Sequence, residues 1–376
     1  MKILFVSQHL KGNDGWSRYA RDFLIEMKRL GHEVMCVTSE ISKETDIKQV
    51  RCLLPPLEYI SKPFTSWQSA KAVNKVIGEF SPDVVHIIVE PYGTMVPFLK
   101  LGKEKLVITV HSTYAFMPLL VRGVRRLVSL YLTRKMYSKI DLVICVSKYT
   151  RDHLLKHMES VGAGELVKDK VSVFAGGVDV SKVKNKKNKS HGEIKEILFV
   201  GALKSRKGLK EAIDALAFVK TDFIYRIAGA YNENDGYIKL LRNKIIEKNL
   251  GDKVIFMGQV SDQELENLYQ NADLFLMLST NNGADFEGYG LVYLEANLYG
   301  VPCIGPRDSG VSDAIVPEKT GYLVDQYDSI YVAETIEKVL NEHPIDPDEC
   351  VRWAYHNSVP NKTKSVLEFY SRLIKT

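Results

Sequence analysis

Cysteine is scarce in this sequence, and the few cysteines lie far apart. The chain has five cysteines among 376 residues and no Cys-x-x-Cys pair, so neither a disulfide framework nor a zinc site is indicated. Long apolar runs are also missing, because no uncharged apolar run reaches the roughly 18 residues needed to cross a bilayer. The apolar start MKILFVSQH is too short to resemble a secretion signal. We therefore expect a cytosolic protein with reduced thiols.

Acidic residues are in short supply in the first half of the chain. Residues 1–190 contain 31 Lys and Arg against 18 Asp and Glu, whereas residues 191–376 contain 20 against 28. This asymmetry predicts that the first half meets an anionic partner, either nucleic acid or a membrane surface, although a soluble lysine-rich surface gives the same count. With 45% hydrophobic residues, the chain has enough apolar material for two domains of ordinary size.

What is present is an alternation of strand-like and helical patterns, which predicts an α/β fold. The apolar run Lys2–Ser7, a glycine turn and a helical pattern over Trp16–Leu30 together are typical of a Rossmann-like unit. A second such unit begins at Glu196–Val200, after a lysine-rich stretch with few apolar anchors that is typical of an exposed connection. The predicted segments are a first domain at 1–180, a linker at 181–193, a second domain at 194–355 and a final helical segment at 356–376.

The most informative stretch runs from Ala284 to Pro302 and reads ADFEGYGLVYLEANLYGVP. Its glycines allow a ligand to approach the backbone closely, and the free N–H groups of the following helix would favour a phosphate. Glu287 precedes the turn, and eight helical steps of about 100° leave Glu295 about 80° away, facing the same crevice. A phosphate flanked by hydroxyl-binding acids predicts a sugar nucleotide. The amide donors would be those of Gly288, Tyr289, Gly290 and Leu291.

A second loop, GALKSRKG at residues 201–208, follows the first strand pattern of the second unit. Arg206 and Lys207 are adjacent cations beside a glycine at a strand-to-helix turn. Arginine offers a planar fork of donors and lysine a mobile point charge, so the pair suits a diphosphate. A solvated basic turn is the alternative interpretation.

Both motifs resemble those of a known family. FEGYGLVYLEA resembles the Glu-x7-Glu signature of retaining GT-B glycosyltransferases, in particular family 4-like enzymes such as bacterial mannosyltransferases. GALKSRKG resembles the family's Gly-Arg-Leu-x-x-x-Lys-Gly loop, with Ala202 where arginine is common. The resemblance covers nearly the whole chain and implies a GT-B fold, in which two Rossmann-like domains face each other across a cleft. The first domain would hold the acceptor, the second would hold the sugar nucleotide, and the C-terminal helix would cross back to the first.

The resemblance also implies roles for particular residues. Lys207 and Arg206 would neutralise the diphosphate leaving group in place of a metal ion, and no cofactor is expected. Glu287 would bind hydroxyls of the donor sugar, Glu295 those of the ribose, and His111, which ends the strand pattern VITVHS, would lie beside the sugar. The other expected donor-binding residues are Gly201, Gln259, Val260, Gly288, Tyr289, Gly290 and Leu291. The expected acceptor or phosphate loop contains Gly12, Gly15 and Trp16.

These roles predict a metal-independent, retaining hexosyltransferase that uses GDP-mannose or a UDP-hexose. Its acceptor would be lipid-linked, for glycolipid, polysaccharide or cell-envelope glycan synthesis, and transfer would be a same-face displacement through an oxocarbenium-like state. Alternatives stay open: a GT-B epimerase, a glycan phosphorylase, a transferase with a soluble acceptor, or a non-catalytic sugar-nucleotide sensor. A nucleic-acid partner is disfavoured, because the aromatic residues of the basic half show no RNP-like pattern. The sequence does not identify the sugar, the linkage or the oligomeric state.

The segment 117–139 is basic and amphipathic. It contains six Lys and Arg, and no acidic residue occurs between Lys105 and Ile140. Wound as a helix, its apolar residues fall on one side and its basic residues on the other. The apolar face could pack on the core of the first domain, or it could join the arginines at the cytoplasmic face of an anionic membrane. The apolar side is formed by Leu120, Val124, Leu127, Val128 and Tyr131, and the other side by Arg122, Arg125, Arg126 and Ser129.

Overall fold

The computed structural model describes residues 1–12, 15–43, 45–55, 63–111, 123–183, 193–281 and 285–375. The chain divides into two compact units by its internal contacts. Unit 1 comprises Met1–Gly177 together with Val359–Thr376, and unit 2 comprises Val178–Ser358. Each unit contains a parallel sheet with helices, and each is described separately below.

Unit 1 is built on a seven-stranded parallel sheet with the order β3-β2-β1-β4-β5-β6-β7. Its strand order reverses between β1 and β4, and in open α/β sheets the crevice beyond the carboxyl ends of such strands is the usual ligand site. The strands are β1 (Lys2–Val6), β2 (Glu33–Thr38), β3 (Lys48–Arg51), β4 (Val84–Ile87), β5 (Lys105–Val110), β6 (Leu142–Cys145) and β7 (Val171–Val173). The helices are α1 (Gly15–Arg29), α2 (Pro63–Phe80), α3 (Val124–Lys139) and α4 (Lys148–Ser160), with a 3-10 helix at Glu90–Phe98.

Unit 2 has a six-stranded parallel sheet with the order β10-β9-β8-β11-β12-β13, which reverses between β8 and β11. The strands are β8 (Lys195–Val200), β9 (Phe223–Ala228), β10 (Val254–Gly258), β11 (Leu274–Leu276), β12 (Cys303–Pro306) and β13 (Gly321–Val324). The helices are α5 (Leu209–Leu216), α6 (Gly236–Glu247), α7 (Asp262–Asn271), α8 (Leu291–Leu298), α9 (Ser329–Glu342) and α10 (Pro347–His356).

Apolar strands covered on both faces form the core of each sheet. Ile3, Leu4, Phe5 and Val6 of β1 are fully buried, as are the three residues of β11. Near-continuous apolar runs of this kind are expected where helices cover both faces of a parallel sheet. The α/β fold predicted from the sequence is therefore confirmed.

The last helix, α11 (Val359–Lys375), belongs to unit 1. Its Tyr370 is fully buried, and the Tyr370 hydroxyl lies 2.5 Å from Nδ1 of His86. The other ring nitrogen of His86 lies 2.7 Å from the Thr109 hydroxyl, so both polar ends of this buried imidazole are satisfied. Burial lowers the pKa of His86 to about 3, which keeps the ring neutral at ordinary pH. This buried network joins α11 to β4 and β5.

The basic helix differs from its predicted packing. The described part is α3, and residues 112–122, with Leu120 and Arg122 among them, lie outside the described residues, as do the side chains of Val124 and Arg125. Leu127 is 69% exposed and Tyr131 is 63% exposed, so this apolar face does not pack on the core. The buried stripe consists of Ser129, Thr133, Met136 and Tyr137.

One close helix contact lies on this buried face. The sulfur of Met136 lies so near Gly93 of the 3-10 helix that a Cβ there would be 2.8 Å from it. The buried stripe combines the small Ser129 and Thr133 with the larger Met136 and Tyr137, whereas Leu127 and Tyr131 are left outside. It is less apolar than the stripe that the sequence indicated.

Candidate functional site

The basic loop after β8 is fixed by backbone packing in unit 2. Ser205–Lys207 form a short 3-10 helix, and Gly208 (φ 70°), in the left-handed region, is the residue that precedes α5. A Cβ at Gly208 would lie 1.7 Å from the Leu278 carbonyl oxygen, so only glycine permits this approach. The Thr280 amide donates to the Arg206 carbonyl at 2.8 Å. The loop is therefore held against the chain that leaves the carboxyl end of β11, beside the point where the strand order reverses.

Glu287 lies between the two predicted cations. Its Oε2 accepts hydrogen bonds from Lys207 Nζ at 2.5 Å and from an Arg206 terminal nitrogen at 3.0 Å. Arg206 Nε also lies 3.5 Å from an Asp285 carboxylate oxygen. The side chains of Glu287, Lys207 and Arg206 are 12%, 13% and 28% exposed, so this is a largely desolvated cluster of charges.

The cluster fixes the charge of Glu287. Burial opposes ionisation, but Lys207 and Arg206 together hold the pKa of this carboxyl below its ordinary value. The site thus contains an ionised acid bound to two cations whose other N–H groups can bind further anions. A diphosphate could compete for these donors, since charge-assisted bonds to phosphate resemble those to carboxylate.

The glycine turn before α8 is also packed backbone against backbone. Gly290 (φ 84°) is the residue preceding α8, and a Cβ there would lie 2.7 Å from the Tyr293 ring. The Gly310 amide donates to the Glu287 carbonyl at 2.9 Å, and a Cβ at Gly310 would lie 1.9 Å from the Gly288 oxygen. Of the four predicted amide donors, only Leu291 lies in α8, whereas Gly288, Tyr289 and Gly290 form the turn that precedes the helix and follows Glu287 in sequence. Their role in donor binding stays a prediction.

A buried hydroxyl lies at the same edge of the sheet. Ser279 follows β11, is fully buried, and its hydroxyl has no hydrogen-bond partner within the part of the chain that the structure describes. Unpaired buried polar atoms are rare in folded proteins and need an explanation. A ligand oxygen at this edge would supply the missing partner.

Three neighbouring loops form the rest of this edge. A Cβ at Gly229 would lie 1.9 Å from the Gly201 carbonyl oxygen, and the Gly229 amide donates to the Gly258 carbonyl at 2.8 Å. The loops after β8, β9 and β10 are thus in direct backbone contact. Gln259 and Val260 follow Gly258 and belong to this row of loops, as the sequence predicted.

Glu295 is bound by a residue of a different helix. It lies in the second turn of α8, is 8% exposed, and accepts a hydrogen bond from the Tyr269 hydroxyl at 3.1 Å. The structure thus brings Glu287, Lys207 and Arg206 together, and it places Tyr269 of α7 against Glu295.

In unit 1, His111 follows β5 and is held by the backbone after β4. Its ring Nε2 lies 3.1 Å from the Ile88 carbonyl oxygen, and its amide donates to the Glu90 carboxylate. Burial lowers the pKa of His111 to about 4, so the ring is neutral at ordinary pH. A carbonyl can only accept a hydrogen bond, which assigns the proton to Nε2 and leaves Nδ1 as an acceptor.

The first glycine loop lies beside this histidine. Gly12 (φ 74°) ends the described part of the loop after β1, and its carbonyl accepts from Arg21 at 2.9 Å. Gly15 starts α1, and the next residue, Trp16, places its ring 6.5 Å from that of His111. The Tyr19 ring approaches His111 more closely, at 5.2 Å. The loop and His111 therefore meet at one edge of the unit 1 sheet.

Sequence reasoning missed several of these contacts. Asp285 lies in the motif and could have been considered as a partner of Arg206. Tyr269 and Glu90 carry no signal of their own, because each is far in sequence from the residue that it contacts. Among the described residues, no three His, Cys, Asp or Glu side chains are grouped as metal ligands. None of the described helices is long and apolar enough to cross a membrane.

Two family models match the chain, one on each side of residue 180. The model described as Glycosyltransferase Family 4 matches residues 13–182, and the model described as Glycosyl transferases group 1 matches residues 180–357. Together they extend over both units. The first covers the Gly15 helix and His111, and the second covers the basic loop and the Glu-x7-Glu stretch.

Curated relatives carry related names. The chain is 29% identical over 224 residues to a GDP-mannose-dependent alpha-(1-6)-phosphatidylinositol monomannoside mannosyltransferase of Mycobacterium tuberculosis, covering 58% of this chain and 56% of the relative. It is 23% identical over 396 residues to an alpha-monoglucosyldiacylglycerol synthase of Streptococcus pneumoniae, covering 98% of this chain and 84% of the relative. Several curated relatives are matched over only about half of their own length.

Solved structures share the fold of the whole chain. A glycosyltransferase from Rickettsia africae superposes with a TM-score of 0.76 at 19% identity, covering 100% of this chain and 99% of the other. Anabaena HepE in complex with UDP-glucose gives a TM-score of 0.74 at 18% identity, with 99% and 100% covered. Two Rossmann-like units, the two adjoining family models and these neighbours agree with one another, and the chain therefore belongs to the family 4-like glycosyltransferases of GT-B fold.

Proposed function

We propose that the protein is a retaining glycosyltransferase that moves a hexose from a nucleotide diphosphate to a lipid-linked acceptor. The observation that carries this proposal is the desolvated cluster of Lys207, Arg206 and Glu287, next in sequence to the amides that open α8. Such a cluster offers two cations and a helix N-terminus to a diphosphate, and a carboxylate to the hydroxyls of a sugar.

The cluster suggests how the donor is activated. A diphosphate would replace Glu287 as the partner of Lys207 and Arg206, and the released carboxylate could then accept hydrogen bonds from the hexose. As the bond between the anomeric carbon and the phosphate oxygen breaks, negative charge grows on the leaving diphosphate. Preorganised cations and amides in a desolvated site stabilise that charge most strongly in the transition state.

We further propose that transfer occurs on one face of the sugar. The acceptor hydroxyl would bond to the anomeric carbon on the side from which the diphosphate departs, and its proton would pass to the departing phosphate oxygen. The sugar would be oxocarbenium-like between the two events. Neutral His111 would accept a hydrogen bond from a substrate hydroxyl through Nδ1, a positioning role that needs no change in its charge.

Exposed apolar side chains on unit 1 support a membrane-bound acceptor. Leu127, Val128 and Tyr131 of α3 are exposed, as are the neighbouring Arg126 and Lys135. Apolar side chains next to cations suit the interface of an anionic bilayer. The names of the mycobacterial and streptococcal relatives, which refer to a phosphatidylinositol mannoside and a diacylglycerol, favour the same class of acceptor.

A second exposed apolar group lies at the start of α2. Phe64 is 68% exposed, Trp67 is 47% exposed, and their rings stack with centroids 5.9 Å apart. Helices α2 and α3 both pack against the 3-10 helix at Glu90–Phe98, and both follow strands at their carboxyl ends. The two groups therefore lie at the same edge of the unit 1 sheet, where a lipid-linked acceptor would arrive from the membrane.

A panel of UDP- and GDP-sugars tests the donor assignment. A ligand that binds only the folded protein raises its melting temperature. At a ligand concentration one hundred times Kd, the free energy of unfolding increases by about 2.7 kcal/mol. We expect one hexose donor, GDP-mannose or a UDP-hexose, to raise the melting temperature more than the matching nucleoside monophosphate. If no sugar nucleotide raises it, the proposed function is wrong.

A further inference from the structure

Glu287 and Glu295 differ in what holds them. Glu287 is bound to two cations, whereas the Tyr269 hydroxyl donates to Glu295 Oε2 at 3.1 Å. Tyr269 and Glu295 are 3% and 8% exposed. A phenol donates a hydrogen bond without bringing a positive charge, so it can orient a carboxylate without forming an ion pair with it.

The Tyr269 ring is itself fixed. It stacks face to face on Tyr299, with centroids 5.5 Å apart and planes within 4°, and it lies 6.4 Å from the Phe275 ring. Tyr299 directly follows α8, the helix that carries Glu295. The end of α7 therefore braces the last turns of α8 through one ring, and the hydroxyl of that ring defines where the carboxylate of Glu295 points.

We propose that Tyr269 is a positioning residue for donor recognition, which orients the Glu295 carboxylate toward the ribose hydroxyls of the nucleotide. The proposal rests on the proposed function, in which Glu295 binds the ribose. A carboxylate has about four acceptor positions, and a phenol that occupies one of them restricts rotation of the group. The two ribose hydroxyls would then meet oxygens that are already in place, which lowers the entropic cost of binding.

The substitution Tyr269→Phe removes the hydroxyl and keeps the stacked ring. We expect the donor KM and Kd to rise roughly three- to tenfold, the size of one net hydrogen bond, with kcat unchanged. Tyr299→Phe is the matched control, because it removes a hydroxyl from the other ring of the same stack. It should change the donor KM by less than about twofold.

Deoxyribose nucleotides separate positioning from a general structural effect. The probes are the nucleoside diphosphate of the preferred donor and its 2′-deoxy and 3′-deoxy forms. Wild type should lose affinity for at least one deoxy form, and Tyr269→Phe should lose less, because its carboxylate no longer holds the ribose well. In a Glu295→Gln background, Tyr269→Phe should cause little further loss of donor affinity, because the effects of coupled residues are not additive.

Three outcomes overturn the inference. An unchanged donor Kd in Tyr269→Phe would do so, as would a deoxy penalty equal to that of wild type, or full additivity with Glu295→Gln. If Tyr269→Phe does not fold, Tyr269→Met, similarly long and apolar, is read by the same criteria. If wild type binds no nucleoside diphosphate, the proposed function fails and this inference with it. If wild type binds normally, and Glu295→Gln weakens binding but Tyr269→Phe does not, only the role of Tyr269 is rejected.

Discussion

The two units carry different kinds of side chain at the carboxyl edges of their sheets. In unit 2 the edge contains permanent charges, with Glu287 bound to Lys207 and Arg206. In unit 1 it contains a neutral histidine, His111, among aromatic rings, with exposed apolar side chains on α3. Similar folds can therefore present different surfaces, because the loops rather than the strands carry the chemistry. A cluster of charges suits a diphosphate, whereas a neutral histidine among aromatic rings, with exposed apolar side chains nearby, suits a hydroxyl group on a lipid.

The largest expected effect concerns the charged edge. Lys207→Ala should lower kcat by roughly 10²–10³-fold, because it removes a group that stabilises charge as the diphosphate leaves. The control is Lys210→Ala, which changes an exposed lysine of α5 that lies near Glu211. Steady-state kinetics with the preferred donor provide the measurement. A Lys207 variant with normal kcat and only weaker donor binding would contradict the leaving-group role.

The apolar and basic surface of α3 in unit 1 is tested next, with vesicles. Wild type should sediment with anionic vesicles at low salt and less so at high salt. Replacing Arg126 and Lys135 by Ser should reduce partitioning roughly tenfold or more, at about 1 kcal/mol for each cation near the surface. The matched control replaces the exposed Lys239 and Lys319 of unit 2 by Ser.

Apolar contact with the bilayer is a separate part of the same test. Replacing Leu127, Val128 and Tyr131 by Ser should weaken binding further at high salt, where charge is screened. Equal binding of wild type to neutral and anionic vesicles would refute the electrostatic part. If wild type binds neither kind of vesicle, a soluble acceptor is favoured and the unit 1 surface does not bind membranes as proposed.

Sequence patterns identified the elements well where local signals were strong. The helix Asp262–Asn271 begins where Ser261 and Glu264 form a capping box, a signal that is visible in the sequence. The strand-like run Lys2–Ser7 was predicted one residue too long, because the strand ends at Val6. Ser7 is small enough for a strand, but it begins the loop that leads to Gly12.

The contacts that could not be predicted from the sequence are those that depend on long-range packing. The periodicity of α3 indicated an apolar stripe that includes Leu127, but the structure leaves Leu127 exposed and buries Ser129, an outcome that depends on tertiary contacts. The motifs identified Glu287 and Lys207 as candidates, but 80 residues separate them, so their hydrogen bond had no local signature. The roles of these residues in catalysis stay predictions.

A smaller effect is expected in acid, and it concerns unit 1. The pKa of His86 is about 3 in the folded protein, against about 6.5 for an unfolded histidine. Between these values the unfolded chain binds the extra proton, so stability is complete above pH 6.5 and falls as the pH drops. At pH 5 His86 should lower the free energy of unfolding by about 2 kcal/mol relative to neutral pH. Partly exposed His111 contributes in the same direction.

Denaturant melts at pH 7 and pH 5 measure this acid effect. His86→Asn should reduce the difference between the two pH values by about 2 kcal/mol, whatever its stability at pH 7, and His111 should keep its own contribution. His356→Asn, on α10 of unit 2, serves as the matched control and should keep the wild-type difference between the two pH values. An unchanged difference in the His86 variant would show that this buried network does not control acid stability.

The last prediction concerns unit 2, where we expect a chelator to have no effect on turnover. If Lys207, Arg206 and the α8 amides carry the leaving-group charge, a chelator should leave turnover within about twofold of the untreated enzyme. Added Mg²⁺ should not stimulate the reaction. A chelated enzyme that is inactive and recovers with Mg²⁺ would assign that charge to a metal ion.

We have proposed that the charged edge of unit 2 supports transfer of a sugar with retention. To test this, the purified protein is given the preferred α-linked donor and a lipid acceptor, and the anomeric configuration of the product is determined by NMR. We expect an α-linked product from wild type and almost none from Lys207→Ala. A β-linked product, or an epimerised sugar nucleotide with no transfer, would contradict it.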